Sequence, residues 1–188
     1  MCKMLSGLVL KNRTLYNLDR DNHEDLIKEA GLKDESKNPD FVRVEIVPID
    51  GNVFNHDPKN WQLKVDQDFR PDWFSEKFAE SEMRKALQEL FNERFIIGRT
   101  IEKIIEGRWF IGSGGTVQEV WDGGTVQRVW DGGTVQKVWD GGTVQVFSNR
   151  YTIGEIKGTG IVILRNKENT ILTTDKSIKL KVWKAKKS

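Results

Sequence analysis

The chain holds one cysteine, Cys2, and two histidines, His23 and His56, among 188 residues. A single thiol excludes an internal disulfide framework and fits a reducing, cytoplasmic compartment. No apolar run approaches the ~20 residues of a membrane-spanning helix, so no membrane association is expected. The opening MCKMLSGLVLKNR has only a short apolar patch, without the h-region or small-residue cleavage site of a secretory signal. Cys2 lacks the preceding apolar segment of a lipoprotein cysteine. An excess of one charge sign is also missing. Lys and Arg number 30 against 28 Asp and Glu, a net charge of +2, which argues against nucleic acid as a partner for the whole chain. Catalytic motifs are scarce as well. The sequence has no P-loop, nucleophile elbow, Cys–His pairing or H-x-x-x-H spacing, so no catalytic residue, cofactor or metal is expected.

What is there has a globular composition, 37% hydrophobic and 31% charged. The character of the chain changes near Gly98. Before it, SGLVLKNRTLY reads as a strand or hairpin rich in β-formers. In DNHEDLIKEAGL, Asp21 or Asn22 caps a helix with Glu24 and Asp25 in its first turn and Gly31 at its stop. FVRVEIVPIDG alternates Phe41, Arg43 and Glu45 against Val42, Val44 and Ile46, a half-buried strand ending at Pro48. WQLKVDQ alternates through Trp61, Leu63 and Val65. Ser75 caps a long helix whose Ala79, Met83, Ala86, Leu87, Leu90 and Phe91 share one face. The order β-α-β-β-α defines a small α+β head domain over residues 1–97.

Residues 98–188 contain GGTVQEVWDGGTVQRVWDGGTVQKVWDGGTVQ, a nine-residue repeat with one wandering position: Glu119, Arg128, Lys137, Val146. The kernel Thr-apolar-x-x-apolar recurs at Thr116, Thr125, Thr134, Thr143 (ending on Phe147) and Thr152. An earlier copy, Thr100-Ile101-x-x-Ile104, is out of step. Stacked copies with decayed ends are the mark of a solenoid. Two architectures compete. If Asp-Gly-Gly turned an antiparallel hairpin, Val117, Glu119 and Trp121 would share one face of a flat strand and Thr116, Gln118 and Val120 the other. Neither face is cleanly apolar. In a β-solenoid, a bend at Gln-x turns both valines of a repeat inward and the glycines form corners. Nine extended residues reach only about 30 Å, so nine should be half a coil and eighteen a turn, with coils stacked at ~4.8 Å. The expected fold is therefore an α+β N-terminal domain followed by an all-β repeat domain, a β-solenoid with two nonapeptides per coil. On this reading Trp121 stacks over Trp139, Trp130 faces the other way, and Glu119 neighbours Lys137 with opposite sign. The head domain is expected to cap the first coil.

The repeat is similar to the RTX nonapeptide G-G-x-G-x-D-x-U-x, which binds calcium. Here valine fills the fourth position, and Glu119, Arg128 or Lys137 stands where aspartate is needed. A calcium site needs about six oxygens, so calcium is not expected. The order of parts, with VDQDFRPDWF in the head, the connector IGRTIEKIIEGRWFI and tandem GGTVQxVWD repeats, resembles a group of uncharacterised proteins of bacteriophages, prophages and other mobile elements. The group carries no established catalytic residues. What the resemblance implies is a setting, the cytoplasm of an infected bacterial cell, and a kind of task, blocking host defence machinery.

Packing demands the valines and glycines of the repeat, but not the recurrence of Gln118, Trp121 and Asp122. Recent duplication explains that identity, and so does a partner that reads the ladder. The tryptophans either stack on one another over the corners or face outward as an interface. Glu119, Trp121, Arg128, Trp130, Lys137 and Trp139 are the candidate partner-binding residues. DNA mimicry is disfavoured because Arg128 and Lys137 offset Asp122, Asp131 and Asp140. The tail lysines, Lys176, Lys179, Lys181, Lys184, Lys186 and Lys187, alternate with Ile178, Leu180 and Val182 as a last strand that discourages edge-to-edge growth. Trp183 beside them allows a phosphate contact as the alternative. The resulting expectation is a non-catalytic inhibitor of a host protein, such as a bacterial immune component, acting by protein contact as an anti-defence (anti-CRISPR-type) factor. Homo-oligomers also fit the solenoid ends. The alternative is a ligand-binding module that sequesters a nucleotide or glycan in a pocket bounded by Trp61 and Trp73. The third reading is a metal-dependent hydrolase using His56, Asp66 and Asp68, with His23 solvated in its helix's first turn.

Overall fold

In a computed structural model, residues 4–33, 40–165 and 170–173 are described. Cys2, Trp183 and the tail from Lys176 to Lys187 lie outside the described residues. The fold divides into two compact units, Met1–Glu93 and Arg94–Ser188.

The first unit is a four-stranded antiparallel sheet with two helices. Strands β1 (Leu5–Leu10) and β2 (Arg13–Tyr16) form a hairpin. Helix α1 (His23–Glu29) follows, then β3 (Phe41–Pro48), β4 (Trp61–Val65) and α2 (Glu76–Arg94). The sheet order is β2-β1-β3-β4. Asn22 caps α1 by accepting from the Glu24 N–H at 2.9 Å, and Gly31 after the helix takes the left-handed φ of +63° that ends it. Ser75 Oγ accepts from the Phe78 N–H at 3.3 Å at the start of α2. The residues buried on α2 are Ala79, Met83, Ala86, Leu87, Leu90 and Phe91, as its spacing demands.

Strand β3 departs from the half-buried expectation, because every residue from Phe41 to Val47 except Arg43 is buried. The cause is coverage of both faces. Gly7 of β1 lies against Met83 of α2, so close that a Cβ there would fall 2.5 Å from the Met83 sulfur. Leu8, its neighbour, clusters with Phe41 and with Leu26 of α1. Successive strand residues point to opposite faces, so α2 covers one side and α1 the other. His23 is consequently buried at 4% exposure rather than solvated, and its Nε2 donates to the Val44 carbonyl at 3.0 Å.

The second unit is a parallel-strand β-solenoid of about four turns. Its strands are β5 (Phe95–Ile96), β6 (Thr100–Ile104), β7 (Arg108–Ile111), β8 (Thr116–Val120), β9 (Thr125–Val129), β10 (Gly133–Val138), β11 (Thr143–Val146), β12 (Tyr151–Ile156), β13 (Ile161–Leu164) and β14 (Thr170–Thr173). One sheet runs β12-β10-β8-β6 and the other β14-β13-β11-β9-β7-β5, so successive strands of the chain alternate between sheets. Among the described residues, pairing from β5 to β13 is parallel, and β14 turns back antiparallel on β13. The hairpin alternative fails on this point.

The interior is a stack of valines. Val117 and Val120, Val126 and Val129, and Val135 and Val138 are all at 0% exposure, though the members of each pair lie three residues apart. A flat strand would send residues i and i+3 to opposite faces. The turn in facing falls at Gln-x. Register pairing runs Val117↔Val135, skips Gln118, and resumes at Glu119↔Lys137 and Val120↔Val138. Each fully buried valine contributes about 1.5–3 kcal/mol relative to an exposed one. Thr116 pairs with Thr134 and Thr134 with Thr152, in steps of 18 residues. The out-of-step copy enters the same column, Thr100 pairing with Thr116 and Ile104 with Val120, after a shorter circuit of 16.

Two details correct the kernel as read from sequence. In the fourth copy Val146, not Phe147, takes the inward position, because the register shifts by one between Val144 and Val146. An unrecognised half-coil, Arg108–Ile111, pairs with β9 and buries Phe110 and Ile111.

The second glycine of each Asp-Gly-Gly sits where no Cβ fits. At Gly142 a Cβ would lie 2.6 Å from the Val120 carbonyl oxygen of the coil beneath. Backbone cannot yield as a flexible side chain does. Gly142→Ala is therefore expected to cost about 1–3 kcal/mol, the usual range for overpacking, read as a fall in the urea midpoint of the full chain.

Candidate functional site

The repeat's conserved letters become vertical columns in the solenoid. On the β6-β8-β10-β12 sheet, the wandering position forms a ladder of alternating charge. Lys103 pairs with Glu119, Glu119 with Lys137, and Lys137 with Glu155. Opposite charges in directly opposed positions stabilise a sheet and like charges weaken it. The wandering position thus varies in a pattern that suits the strand beneath it.

Beside that ladder stand Trp121 and Trp139, half-buried and stacked with ring centroids 4.8 Å apart at 20°. Lys103 Nζ lies 4.3 Å from the centre of the Trp121 ring, and Lys137 Nζ 5.8 Å from that of Trp139. These are cation–π contacts on an aromatic pair. Trp121 Nε1 donates to Glu119 Oε2 at 2.9 Å. The buried Trp139 Nε1 has no such acceptor among the described residues, because lysine occupies the matching place two positions earlier.

The other two candidates lie on the opposite sheet. The Trp130 backbone N–H donates to the Ile111 carbonyl of β7, and the residue is 38% exposed. Arg128 is half-buried, with its guanidinium 4.5 Å from the centre of the Phe147 ring, and burial lowers its pKa. So Glu119, Trp121, Lys137 and Trp139 come together on one face, and Arg128 and Trp130 do not join them.

The recurring aspartates have a structural task that the sequence did not disclose. Asp140 Oδ1 accepts from the Thr159 N–H at 2.8 Å, and Asp122 packs against Gly141. Asp131 accepts from Arg150 Nη2 at 2.5 Å, Arg150 Nε at 3.1 Å and the Ser148 hydroxyl. Each acts on the coil above. At this corner Asn149-Arg150-Tyr151 stands where the other copies have Asp-Gly-Gly, with Ser148 in the tryptophan's place, and Ser148 and Arg150 supply the donors. Their recurrence therefore follows in part from packing, contrary to the expectation that packing leaves Asp122 and its copies free.

The head-domain readings fare differently. Trp61 is 1% exposed, stacks edge-on against Phe91 and spends its Nε1–H on the Asn55 carbonyl at 2.7 Å. It offers no ring to a nucleotide or sugar. Trp73 is half-buried and edge-on to Phe74. A small groove lined by Arg13, Leu15, Tyr16, Leu26, Glu29 and Ala30 contains neither tryptophan. His56 stacks on Phe91 at 3.9 Å, and burial holds its pKa below the ordinary histidine value. Asp66 gathers instead with His23 and Glu45, their ligand atoms all within 4.8 Å of one another. Neither His56 nor Asp68 belongs to that group. Sequence reading missed His23 and Glu45 because they are 22 residues apart with no motif spacing. The only signal was Glu45 sharing a strand face with the apolar Phe41.

No family model, curated protein or solved structure matches the chain. No helix among the described residues is long and apolar enough to cross a membrane.

Hydrogen bonds from Arg150, and then from Ser148, hold the Asp131 carboxyl below the usual value of 3.8. A lowered pKa contributes stability above the unfolded value, and this is lost as pH falls through the folded one. Asp131→Asn should therefore be less stable than the native chain at neutral pH. In thermal unfolding measured across pH, the gap should close below about 3.8.

Proposed function

We propose that this chain is a non-catalytic binding protein that acts stoichiometrically by protein–protein contact, with the repeat face as its contact surface. The supporting observation is the column on the β6-β8-β10-β12 sheet: a stacked, half-exposed tryptophan pair under two lysines, beside a ladder of alternating charge. Tryptophan is among the residues that dominate interface energetics, and a partner gains most by desolvating such a pair. The coil is read as two nonapeptides, in keeping with the 18-residue register, so a duplicated pair lengthens the surface by one rung on each sheet. The resemblance to phage-borne proteins supports a setting in the cytoplasm of an infected bacterial cell and a host immune component as the partner. Under this reading the chain is an anti-defence inhibitor rather than an enzyme.

The test is affinity capture from host-cell lysate with three versions of the chain. Lys103→Ala/Lys137→Ala removes the cationic rim of the tryptophan pair, and Trp121→Ala/Trp139→Ala removes the pair itself. Arg128→Ala/Trp130→Ala alters the opposite sheet. A stoichiometric partner should be retained by the native chain and the third version, and lost by the first two. Retention by all versions, or the absence of any stoichiometric partner, contradicts the reading.

A further inference from the structure

The head domain carries a feature that protein contact by the repeat does not use. Three potential ligand atoms converge from three ordered elements. His23 opens α1, Glu45 lies in the central strand β3, and Asp66 follows β4 with its N–H donating to the Arg43 carbonyl at 2.9 Å. His23 Nδ1 is 3.6 Å from Asp66 Oδ2, and all three ligand atoms lie within 4.8 Å of one another.

The chemistry of the group is specific. His23 Nε2 faces the Val44 carbonyl, an acceptor, so that nitrogen carries the hydrogen. With Nε2 committed to that carbonyl, Nδ1 is the ring nitrogen that faces the Asp66 carboxylate and is placed to act as a ligand. A backbone carbonyl fixing the tautomer in this way is the usual outer-shell partner of a metal-bound histidine. Glu45 is 9% exposed, and its side chain makes no hydrogen bond or ion pair among the described residues. Its register neighbours are Ser6, whose hydroxyl is committed to Asp21 at 2.7 Å, and Lys64, which is exposed. A divalent cation among the three ligand atoms would be held by all of them at once. Ligands at ~2.1 Å from a tetrahedral ion stand about 3.4 Å apart, close to the observed His23–Asp66 separation.

We propose that His23, Glu45 and Asp66 form a mononuclear site for a divalent first-row transition ion of the zinc type. One imidazole and two carboxylates suit such an ion, whereas magnesium and calcium favour oxygen donors alone. The Asp66 side chain is 62% exposed, so the site opens to solvent there and leaves room for water as a further ligand. This inference goes beyond the proposed function, since it concerns the head and holds whatever the repeat binds.

The test is calorimetric titration of the untagged, chelator-treated full chain with Zn²⁺, in a Cys2→Ser background so that the thiol takes no part. Co²⁺ serves as a second probe, through its visible absorption. One equivalent of Zn²⁺ should bind. Asp66→Asn and Glu45→Gln should each weaken binding by at least about tenfold, the loss that removing even an outer-shell partner brings. Asp66→Asn alters an exposed side chain, so it keeps the fold for comparison should Glu45→Gln unfold, which circular dichroism would reveal. A native chain that binds no Zn²⁺, or an Asp66→Asn chain that binds as the native one does, overturns the proposal.

Discussion

The second half of this protein depends on turning two valines, three residues apart, into the same dry interior. A straight strand cannot do this. The backbone must bend between them, and the bend holds only because the next coil repeats it in register. Val117, Val135 and Ile153 stack in one column, and Val120, Val138 and Ile156 in another. Other features follow from this stacking. The second corner glycine, at Gly124 and Gly142, has no room for a Cβ because a carbonyl of the coil below occupies that place. The aspartate before it serves the coil above. The wandering position alternates in sign along one sheet because each strand is the next one's neighbour. A regular interior thus produces a regular exterior, which gives the tryptophan pair its stacked geometry.

The first half solves the burial problem differently. Its sheet is covered by a helix on each face, so the central strand β3 is enclosed. Enclosure on both sides leaves little room for polar side chains, yet Glu45 and His23 are inside. In a solenoid made of repeats, a polar residue that intrudes is copied with the repeat and must be satisfied in every coil. In the head it is a single local arrangement, and a single counter-ion can balance it. The two units therefore bury their interiors differently, one by stacking repeats and the other by placing a helix on each face of a sheet.

Much of the fold was legible in the sequence. The spacing of Ala79 to Phe91 specified the buried face of α2, and Asn22 and Gly31 marked the ends of α1, because local chemistry governs both. The repeat was legible because its period is strict, and the stacking of Trp121 on Trp139 followed from counting. What escaped detection lies in tertiary context. The half-coil Arg108–Ile111 has no threonine and no valine, so only its position against β9 reveals it. Phe147 matched the kernel's spacing, but a one-residue register shift handed the inward place to Val146. His23 read as solvated because its burial comes from packing against a strand 21 residues away. The grouping of Asp66 with His23 and Glu45 has no sequence signature, since three separate elements supply it.

The most direct measurement is disulfide trapping between neighbouring strands of the repeat, made in a Cys2→Ser background. Adjacent strands lie ~4.8 Å apart, within reach of a disulfide. The parallel stack places position 119 beside 137 and sends 128 to the other sheet. Glu119→Cys/Lys137→Cys should therefore cross-link under mild oxidation within a folded monomer, while Glu119→Cys/Arg128→Cys should not. Cross-linking of the second pair with no reaction in the first would mean that neighbouring nonapeptides pair directly, and the solenoid account would be wrong.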